Sequence, residues 1–474
     1  MSTFVRAGKD LGGPKIPEPQ PPHVTARIVS SEPLTPRSIL RLWWPLAASW
    51  LLMGAELPLF SAVVARLPDA ERNLAAWGSL VFPIALTIEA PIIMLLSAST
   101  ALCHDRASYE RVRSFMLRAG AALTGLHALV AFSPLFDWLA TTLIDAPADV
   151  IEPGRLGFQL MLPWTWSIAY RRFQQGILIR HGNSRVITAG TLVRIAANLA
   201  ALAAGWWIGD LPGIAVGACA VSAGVMSEAA FIGVRVQRVL RERVWTAPAA
   251  APLSWAAFAS FYLPLALTPL VTLLGQPIGS AAMSRMSAPL DSLATWPAYH
   301  GAVFLARALG LAFNEVVIAL AAHSGAIPQL RRFTWQLSLV ATSLLTLVAF
   351  TPLSRAWFEG WSDLDPRLAT LGASAMVFAL ALPALNVLQS YYGGILVRER
   401  KTRAVTESVA LSLGVTTAGL FAAIHYSELQ GLQASAAMMT LGNLAQTVWL
   451  AVRARPRIRA LEARDAAESS APRC

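Results

Sequence analysis

Apolar residues occur along the chain in long runs that are separated by short polar connections. The runs are close to or longer than the roughly 20 residues that an α-helix needs to cross a lipid bilayer. Because each run is long enough for one crossing, the pattern predicts an all-α membrane protein with twelve transmembrane helices. The runs cover residues 38–65, 74–102, 114–136, 156–180, 188–208, 211–234, 254–283, 290–322, 333–357, 368–397, 405–426 and 429–452.

The composition supports this assignment. Of the 474 residues, 55% are hydrophobic and only 14% are charged, whereas soluble globular proteins carry about 25% charged residues. The mean hydropathy is +0.53, and the 16 tryptophans are typical of aromatic belts at a membrane interface. These values exclude an ordinary soluble enzyme and indicate a polytopic membrane protein.

Basic residues are concentrated in every second connection. Arginines occupy connections 2–3, 4–5, 6–7, 8–9 and 10–11 and the C-terminal end, whereas acidic residues occupy connections 3–4 and 9–10. Since basic loops stay on the cytoplasmic side, we expect a multi-pass protein of the cytoplasmic (inner) membrane with both termini in the cytoplasm. These loops account for the net charge of +11. No nucleic-acid-binding motif accompanies them, so no nucleic acid partner is expected.

The two halves of the sequence repeat each other. Each half has six crossings, an even number, so both halves have the same orientation and form two parallel six-helix bundles, as in some secondary transporters. The matching pairs are LVAFSP at 129–134 with LVAFTP at 347–352 and GILIR at 176–180 with GILVR at 394–398, both at a shift of 218, and Pro45 and Pro58 with Pro264 and Pro277, both at a shift of 219.

The repeat and the polar segments divide the chain into five parts. Residues 1–36 are rich in proline and are expected to be a disordered cytoplasmic tail. The remaining parts are an N-terminal six-helix bundle at 37–234, a cytoplasmic linker at 235–252, a C-terminal six-helix bundle at 253–453 and a basic cytoplasmic tail at 454–474.

The first helix of each half carries two prolines. An interior proline removes a backbone hydrogen bond and bends a helix, and the bilayer tolerates the freed carbonyl only where protein or a wet cavity satisfies it. Pro58 and Pro277 are therefore candidates for gating, as points at which these helices bend during transport. The alternative is a static kink that serves packing only.

The eighth helix carries a polar stripe within its apolar run. His300, Arg307 and Asn314 are seven residues apart, and seven residues rotate an α-helix by about 700°, so that all three share one face. Trp296 extends this face by one turn. Because polar groups inside a bilayer usually face a cavity or the bundle interior, these four residues are predicted to bind substrate. The alternative is a set of structural polar contacts between helices.

Two glutamates are candidates for ion coupling or gating. Glu56 lies two residues before Pro58, and a carboxyl group at that depth could carry a proton. Glu89 in the second helix is the repeat counterpart of Arg307, at a shift of 218, so the two are expected to face each other across the axis between the halves. They would form either a salt bridge that opens during transport or a permanent buried pair, which adds little stability.

Two adjacent arginines, Arg171 and Arg172, lie about 13 Å from the cytoplasmic end of the fourth helix by the helical rise. Paired guanidinium groups suit phosphate or carboxylate, so both are predicted to bind substrate, unless they reach the lipid headgroups instead. Weaker candidates lie near helix ends or lack a pattern: His127, Arg118, Arg194, Glu228 and Glu315.

No catalytic signature occurs in the sequence: there is no GxxxxGK[ST] loop, GxSxG elbow or HExxH helix, and no GxGxxG after a strand. The three cysteines are far apart and form no disulfide or metal-binding pattern. We therefore expect a monomer that is not an enzyme and holds no cofactor or metal, with a small anionic substrate, the lipid bilayer and a coupling proton or sodium ion as partners. A membrane-embedded transferase would not explain the repeat.

Several segments resemble known membrane proteins. Twelve helices in two parallel halves resemble the MATE-like multidrug/oligosaccharidyl-lipid/polysaccharide (MOP) exporter superfamily. Within it, over about residues 38–455, the chain is similar to the progressive ankylosis protein family. The similar segments are Pro45-Leu46 with Glu56, QGILIRH at 175–181, Pro264-Leu265 with Pro277-Ile278 and Ser284-Arg285, and TWP at 295–297 with His300.

This resemblance implies an exporter of small polyanions such as pyrophosphate, ATP or citrate. The expectation is therefore an alternating-access secondary transporter that exports a small organic or phosphorylated anion. One alternative is a proton- or sodium-coupled multidrug exporter, because drug-extruding relatives bind a cation or proton at an acidic residue of the first helix, where this chain has Glu56. Another alternative is a flippase for a lipid-linked saccharide.

Overall fold

Long helices dominate the computed structural model, which describes residues 35–248, 253–321, 323, 325–399 and 401–470. In these ranges all regular secondary structure is helical, and twelve long helical segments, named α1 to α12, follow one another. Their bounds are α1 Pro36–Val64, α2 Ala70–Leu102, α3 Arg106–Phe132, α4 Ala148–Leu160 with Leu162–Arg180, α5 Ser184–Ile208, α6 Gly213–Val244, α7 Trp255–Ser284, α8 Pro289–Leu320, α9 Ala326–Phe350, α10 Pro366–Arg398, α11 Thr402–Tyr426 and α12 Gly431–Ser470.

Ten of these helices are long and apolar enough to cross a membrane by themselves. The two others are α4, which contains two adjacent arginines in its second half, and α12, which continues into a charged segment. Both are integral to the bundles, since α4 packs against α2, α3 and α6 and α12 packs against α10 and α11. The fold is thus the predicted polytopic arrangement of two six-helix halves.

The three-dimensional structure repeats at the shifts found in the sequence. The indole Nε1 of Trp43 donates to the carbonyl of Leu309 at 3.0 Å. At the related positions, 219 and 218 residues away, the hydroxyl of Tyr262 donates to the carbonyl of Pro91 at 2.5 Å. Unusual backbone conformations repeat as well, which shows that the halves share their local folding. The described non-glycine residues with left-handed backbone form two repeat pairs, Asp69 with Ala288 and Asp145 with Asp363.

One ion pair repeats with its charges exchanged. Arg72 of α2 lies 3.5 Å from Asp149 of α4. At the related positions in the second half, Asp291 of α8 lies 2.8 Å from Arg367 of α10. Arg367 also approaches Glu71 of the first half at 3.6 Å. The repeat thus preserves an ion pair between the same two helices of each half. In the second half the arginine stands on the other helix of the pair, where it also contacts the first half.

The helical bonding of α1 and α7 is interrupted three residues before Pro58 and Pro277. The interruption lies at Ala55 in α1 and at Leu274 in α7, because the proline nitrogen cannot donate to the preceding turn. Before the interruption, α1 packs against α8 and α7 packs against α2, so each helix begins against the opposite half. The helices are thus interrupted next to the prolines at which bends were expected, and bending there during transport stays a prediction.

The two membrane faces carry different connections. The proximal face is defined as the one on which the described chain begins at Thr35 and ends at Ser470, and the distal face carries connections 3–4 and 9–10. The distal connections contain short helices: Leu135–Ile144 lies in connection 3–4, and Leu353–Arg355 followed by Ala356–Trp361 lies in connection 9–10.

Two polar segments are more helical than the sequence predicted. The predicted linker 235–252 begins as a continuation of α6, which ends at Val244. The predicted tail 454–474 is helical up to Ser470, because this segment packs against the second half: Leu461 is buried in a cluster with residues of α8 and α9, and Glu462 lies 3.1 Å from Arg331 of α9. Of the predicted N-terminal tail 1–36, all but the last two residues lie outside the described ranges.

The orientation of the faces can be tested by cysteine labelling. In a variant without native cysteines, a membrane-impermeant thiol reagent should label Arg241→Cys only in permeabilised cells, because the basic end of α6 is expected on the cytoplasmic side. The same reagent should label Asp149→Cys, in the first turn of α4 on the distal face, in intact cells. Labelling of both cysteines in intact cells would contradict the twelve-helix topology.

Candidate functional site

An ion-pair network in the first half is centred on Glu228 of α6, whose carboxylate is fully buried. Arg171 of α4 donates from Nη1 to Oε2 of Glu228 at 2.5 Å, and Gln175 donates from Nε2 to Oε1 at 2.9 Å. Since Arg171 and Gln175 are four residues apart, they lie on one face of α4. This helix therefore supplies two donors to a single carboxylate.

Arg194 of α5 connects this network to α1. Its Nε lies 2.8 Å from Oε1 of Glu56 and 3.6 Å from Oε2 of Glu228. The side chain of Arg194 is only 9% exposed, whereas that of Glu56 is 26% exposed. Two arginines and two glutamates thus neutralise each other, as burial within a membrane requires. Glu56 is the accessible end of the network.

Glu89 and Arg172 lie beside this network without joining it. Glu89 is 3% exposed, and its Oε2 has no hydrogen-bond partner among the residues that the structure describes. The charges that act on it are those of Arg171 and Arg172. Arg172 is partly exposed, and its buried Nε also has no partner in the described ranges. Arg171 is committed to Glu228, so of the two adjacent arginines Arg172 is the one left without an ion pair in this part of the chain.

The polar stripe of α8 is a partly exposed strip along the helix. His300, Arg307 and Asn314 are all partly exposed, whereas most residues between them are buried. Trp296 is buried, and its ring centroid lies 5.3 Å from that of His300. The three polar residues share one face of α8, as their spacing predicts.

Arg307 and Glu89 form no ion pair in the structure, as far as residues are described. The buried Nε of Arg307 has no hydrogen-bond partner there either, and the titratable neighbours that interact with Arg307 are Tyr299 and His300 of its own helix. Glu89 is instead surrounded by the arginines of its own half. Repeat symmetry gives Glu89 and Arg307 equivalent positions in the two halves, and equivalence does not place two residues in contact.

The second half replaces the charged network with neutral groups. Gln389 stands at the repeat position of Arg171, at a shift of 218, and Thr447 at that of Glu228, at a shift of 219. Gln389 donates from Nε2 to Oγ1 of Thr447 at 3.2 Å and to Oδ1 of Asn443 at 3.2 Å. The same helices are therefore joined by ion pairs in the first half and by amide and hydroxyl groups in the second.

The central residues of the network carry only weak signals in the sequence. Arg194 and Glu228 were weak candidates because each is a single charge in an apolar run without a periodic partner, and Gln175 was not a candidate. The available signal was that every apolar run of the first half contains a charged residue, whereas only three of the six runs of the second half do. His127, another weak candidate, is fully buried, where its ring bonds to Thr165 and to the carbonyl of Phe158.

The arrangement suggests two chemical capabilities. Glu56, at the accessible end of the network, can bind a proton or another cation. Arg172 and Arg307 each offer a guanidinium group that lacks a carboxylate partner within the described ranges. Among these residues no group of three His, Cys, Asp or Glu side chains could hold a metal ion.

Solved structures of membrane transporters match the chain over most of its length. An inward-facing structure of a multidrug resistance MATE family transporter of the MOP superfamily is 15% identical, has a TM-score of 0.69 and covers 90% of this chain and 99% of its own. An outward-facing structure of such a transporter is 16% identical, with a TM-score of 0.60 and coverages of 90% and 96%.

A third match is a MOP superfamily transporter from Pyrococcus furiosus Vc1, described as having a binding pocket of reverse polarity that suggests a different function. It is 16% identical, has a TM-score of 0.60 and covers 90% of this chain and 96% of its own. No family model and no curated protein matches the sequence, so the resemblance to the progressive ankylosis protein family gains no support. At such identities a structural match establishes the fold and leaves function open. The chain has the MATE-like fold of MOP superfamily transporters.

Proposed function

We propose that this protein is an alternating-access secondary transporter that exports a small organic or phosphorylated anion, of the pyrophosphate, nucleotide or citrate class, across the cytoplasmic membrane. The observation that carries the proposal is the pair Arg172 and Arg307, one in each half, which lack ion-pair partners among the described residues. A cation inside a membrane segment normally has a counter-charge. An anion in transit supplies it.

The chemistry of these two residues favours carboxylate or phosphate as the ligand. A guanidinium group presents a planar fork of donors that matches two oxygens of one anion, which a lysine cannot do. Beside Arg307, His300 and Asn314 add further polar groups on the same partly exposed face of α8. The second half therefore offers a strip of donors, and the first half offers Arg172 close to Glu89.

The parallel repeat and the bends in α1 and α7 support alternating access, in which two halves rock about a site between them. For coupling, we assign Glu56. Protonation or sodium binding would neutralise the carboxylate that Arg194 holds and would change the charge of the network by one unit. Because Glu56 is more exposed than the other members, it is the one that an ion from solution reaches first.

A second candidate function is the export of cationic drugs coupled to protons or sodium. The observation that favours it is the accessible carboxylate of Glu56 in the first helix, together with the multidrug transporters among the matched structures. The two functions differ in the charge of the cargo. Arg172 and Arg307 would repel a cationic drug and attract an anion.

Anion efflux from proteoliposomes tests the proposal. The vesicles are loaded separately with radiolabelled citrate, pyrophosphate and ATP, and a fluorescent cationic dye serves as the opposing cargo. Arg307→Ala and Arg172→Ala should each reduce anion efflux at least about tenfold, since a hydrogen bond to a charged group contributes about 1.5–3 kcal/mol. Arg307→Lys should retain part of the activity because it keeps the charge and loses the fork.

A matched control is Arg403→Ala, because Arg403 is 91% exposed and pairs with Glu407 four residues away at 3.0 Å. Such surface pairs contribute little, so its efflux should equal that of the wild type. Transport of the dye without transport of any anion, or full anion efflux by Arg307→Ala, would contradict the proposed function.

A further inference from the structure

Arg66, just beyond α1 on the distal face, reaches across to the second half. It donates from Nη1 to the carbonyl of Trp361 at 2.9 Å and from Nη2 to the carbonyl of Gly360 at 2.9 Å. Both acceptors lie at the end of the short helix Ala356–Trp361 in connection 9–10. The indole of Trp361 in turn donates to the carbonyl of Pro58 at 3.3 Å. A single arginine thus holds the end of a helix that belongs to the opposite half.

Arg285, just beyond α7, makes the same contact in the opposite direction. It stands 219 residues after Arg66 and donates to carbonyls of connection 3–4 in the first half, with its Nε 3.7 Å from a carboxylate oxygen of Asp145. Its Nη2 donates to Thr142 and Leu143 at 3.3 and 3.0 Å, and its Nη1 donates to Ile144 at 3.2 Å.

The acceptor carbonyls are suited to a guanidinium group. The last carbonyls of a helix have no intrahelical partner and carry the negative end of its dipole. Both short helices end in wide turns, closed by the bond from Ala146 N to Ala140 O at 2.9 Å and by the related bond from Leu364 N to Phe358 O at 2.9 Å. The distal ends of the two halves therefore present equivalent acceptors to equivalent arginines.

We propose that the contacts of Arg66 and Arg285 close a distal gate. Both contacts are formed when the site is closed on this face, and both must break for the site to open there. Each of these contacts joins the first helix of one half to the short distal helix of the other. The closed state described here agrees with the higher TM-score to the inward-facing than to the outward-facing structure, 0.69 against 0.60. The inference rests on alternating access and is independent of the cargo.

Distances across the distal face test the gate. The full-length protein in lipid nanodiscs, with native cysteines replaced, carries spin labels on cysteines at Asp210 and Glu428. These exposed positions are related by 218 residues and lie in connections 5–6 and 11–12. Pulsed electron paramagnetic resonance then measures the populations of short and long distances, which correspond to closed and open distal faces.

Arg66→Gln and Arg285→Gln should each raise the ratio of open to closed molecules about tenfold. Because the two contacts are separate, their effects should add in free energy, and the double variant should raise the ratio about a hundredfold. The lysine variants should open less, since lysine keeps the charge. The matched control is Arg355→Gln in the same distal connection. Arg355 is 82% exposed and, within the described ranges, its ion-pair partner is Glu359 of the same connection, at 4.0 Å, so its ratio should equal that of the wild type.

A double variant with the distances of the wild type overturns the gate, and so does Arg355→Gln if it opens the face as far as the double variant does. Anion efflux from proteoliposomes that contain the same variants separates the two proposals. If the wild type exports no anion but the double variant opens, the cargo assignment fails and the gate stands. If the wild type exports anions and the double variant stays closed, the gate fails and the cargo assignment stands.

Discussion

Arg171→Gln is expected to destabilise the folded protein by about 3–5 kcal/mol, because it removes one partner of a buried ion pair and leaves Glu228 without its closest counter-charge. Glu228 is fully buried, and Arg171 lies 2.5 Å from it. The remaining donors, Gln175 and a more distant Arg194, replace the lost charge only in part. Thermal unfolding of the purified protein in detergent, monitored by size-exclusion chromatography, measures the loss of stability.

The second half of the protein supplies the compensating change. Arg171→Gln combined with Glu228→Thr copies the neutral pair of Gln389 and Thr447 at the repeat positions. The double variant leaves Arg194 paired with Glu56 and no unpaired charge at the centre, so much of the lost stability should return. A double variant less stable than Arg171→Gln would show that the network is stabilised by more than the neutralisation of its charges.

Gly176→Ala is expected to cost about 3 kcal/mol or more and to reduce folded protein strongly. A Cβ atom at Gly176 would lie 1.8 Å from Oγ of Ser99 and 2.3 Å from the carbonyl oxygen of Leu96, so α2 and α4 would have to separate. Separation would also break the bond from the hydroxyl of Thr100 to the Gly176 carbonyl, at 3.1 Å. The yield of monodisperse protein and its unfolding temperature in detergent measure the effect.

The control for this substitution is Gly125→Ala on α3, where a Cβ atom would meet nothing within 4 Å. Alanine is the better helix former by about 1 kcal/mol, so this variant should be as stable as the wild type or slightly more stable. Equal stability of the Gly125 and Gly176 variants would contradict the close approach of α2 and α4.

The sequence predicted the helices and their repeat because both depend on local patterns. Apolar run length determines which segments cross a bilayer, and a shift of 218 or 219 residues connects positions without knowledge of packing. The shared face of His300, Arg307 and Asn314 follows from helical geometry alone. For the same reason the interruptions before Pro58 and Pro277 were predictable, since proline acts on its own helix.

Contacts between helices were not predictable in the same way. The sequence does not state how each helix is rotated about its axis, so the expected pair of Glu89 and Arg307 is absent from the described structure. The contact of Arg194 with both Glu56 and Glu228 joins three helices distant in the chain. Such a contact becomes visible only when packing is known. Likewise, the predicted tail 454–474 is largely helix because it contacts α9, a distant segment.

The exchanged ion pair has a consequence for self-association. Arg367 of the second half meets Glu71 of the first, whereas the repeat counterpart of Arg367 is Asp149. An assembly of two copies of the first half would therefore place Asp149 of one copy opposite Glu71 of the other, and two carboxylates would repel each other. Two copies of the second half would place Arg367 opposite Leu290, the counterpart of Glu71, without an attraction. Only a mixed pair gains this contact, so it favours pairing of the two different halves over pairing of identical ones, by the small amount that an exposed ion pair contributes.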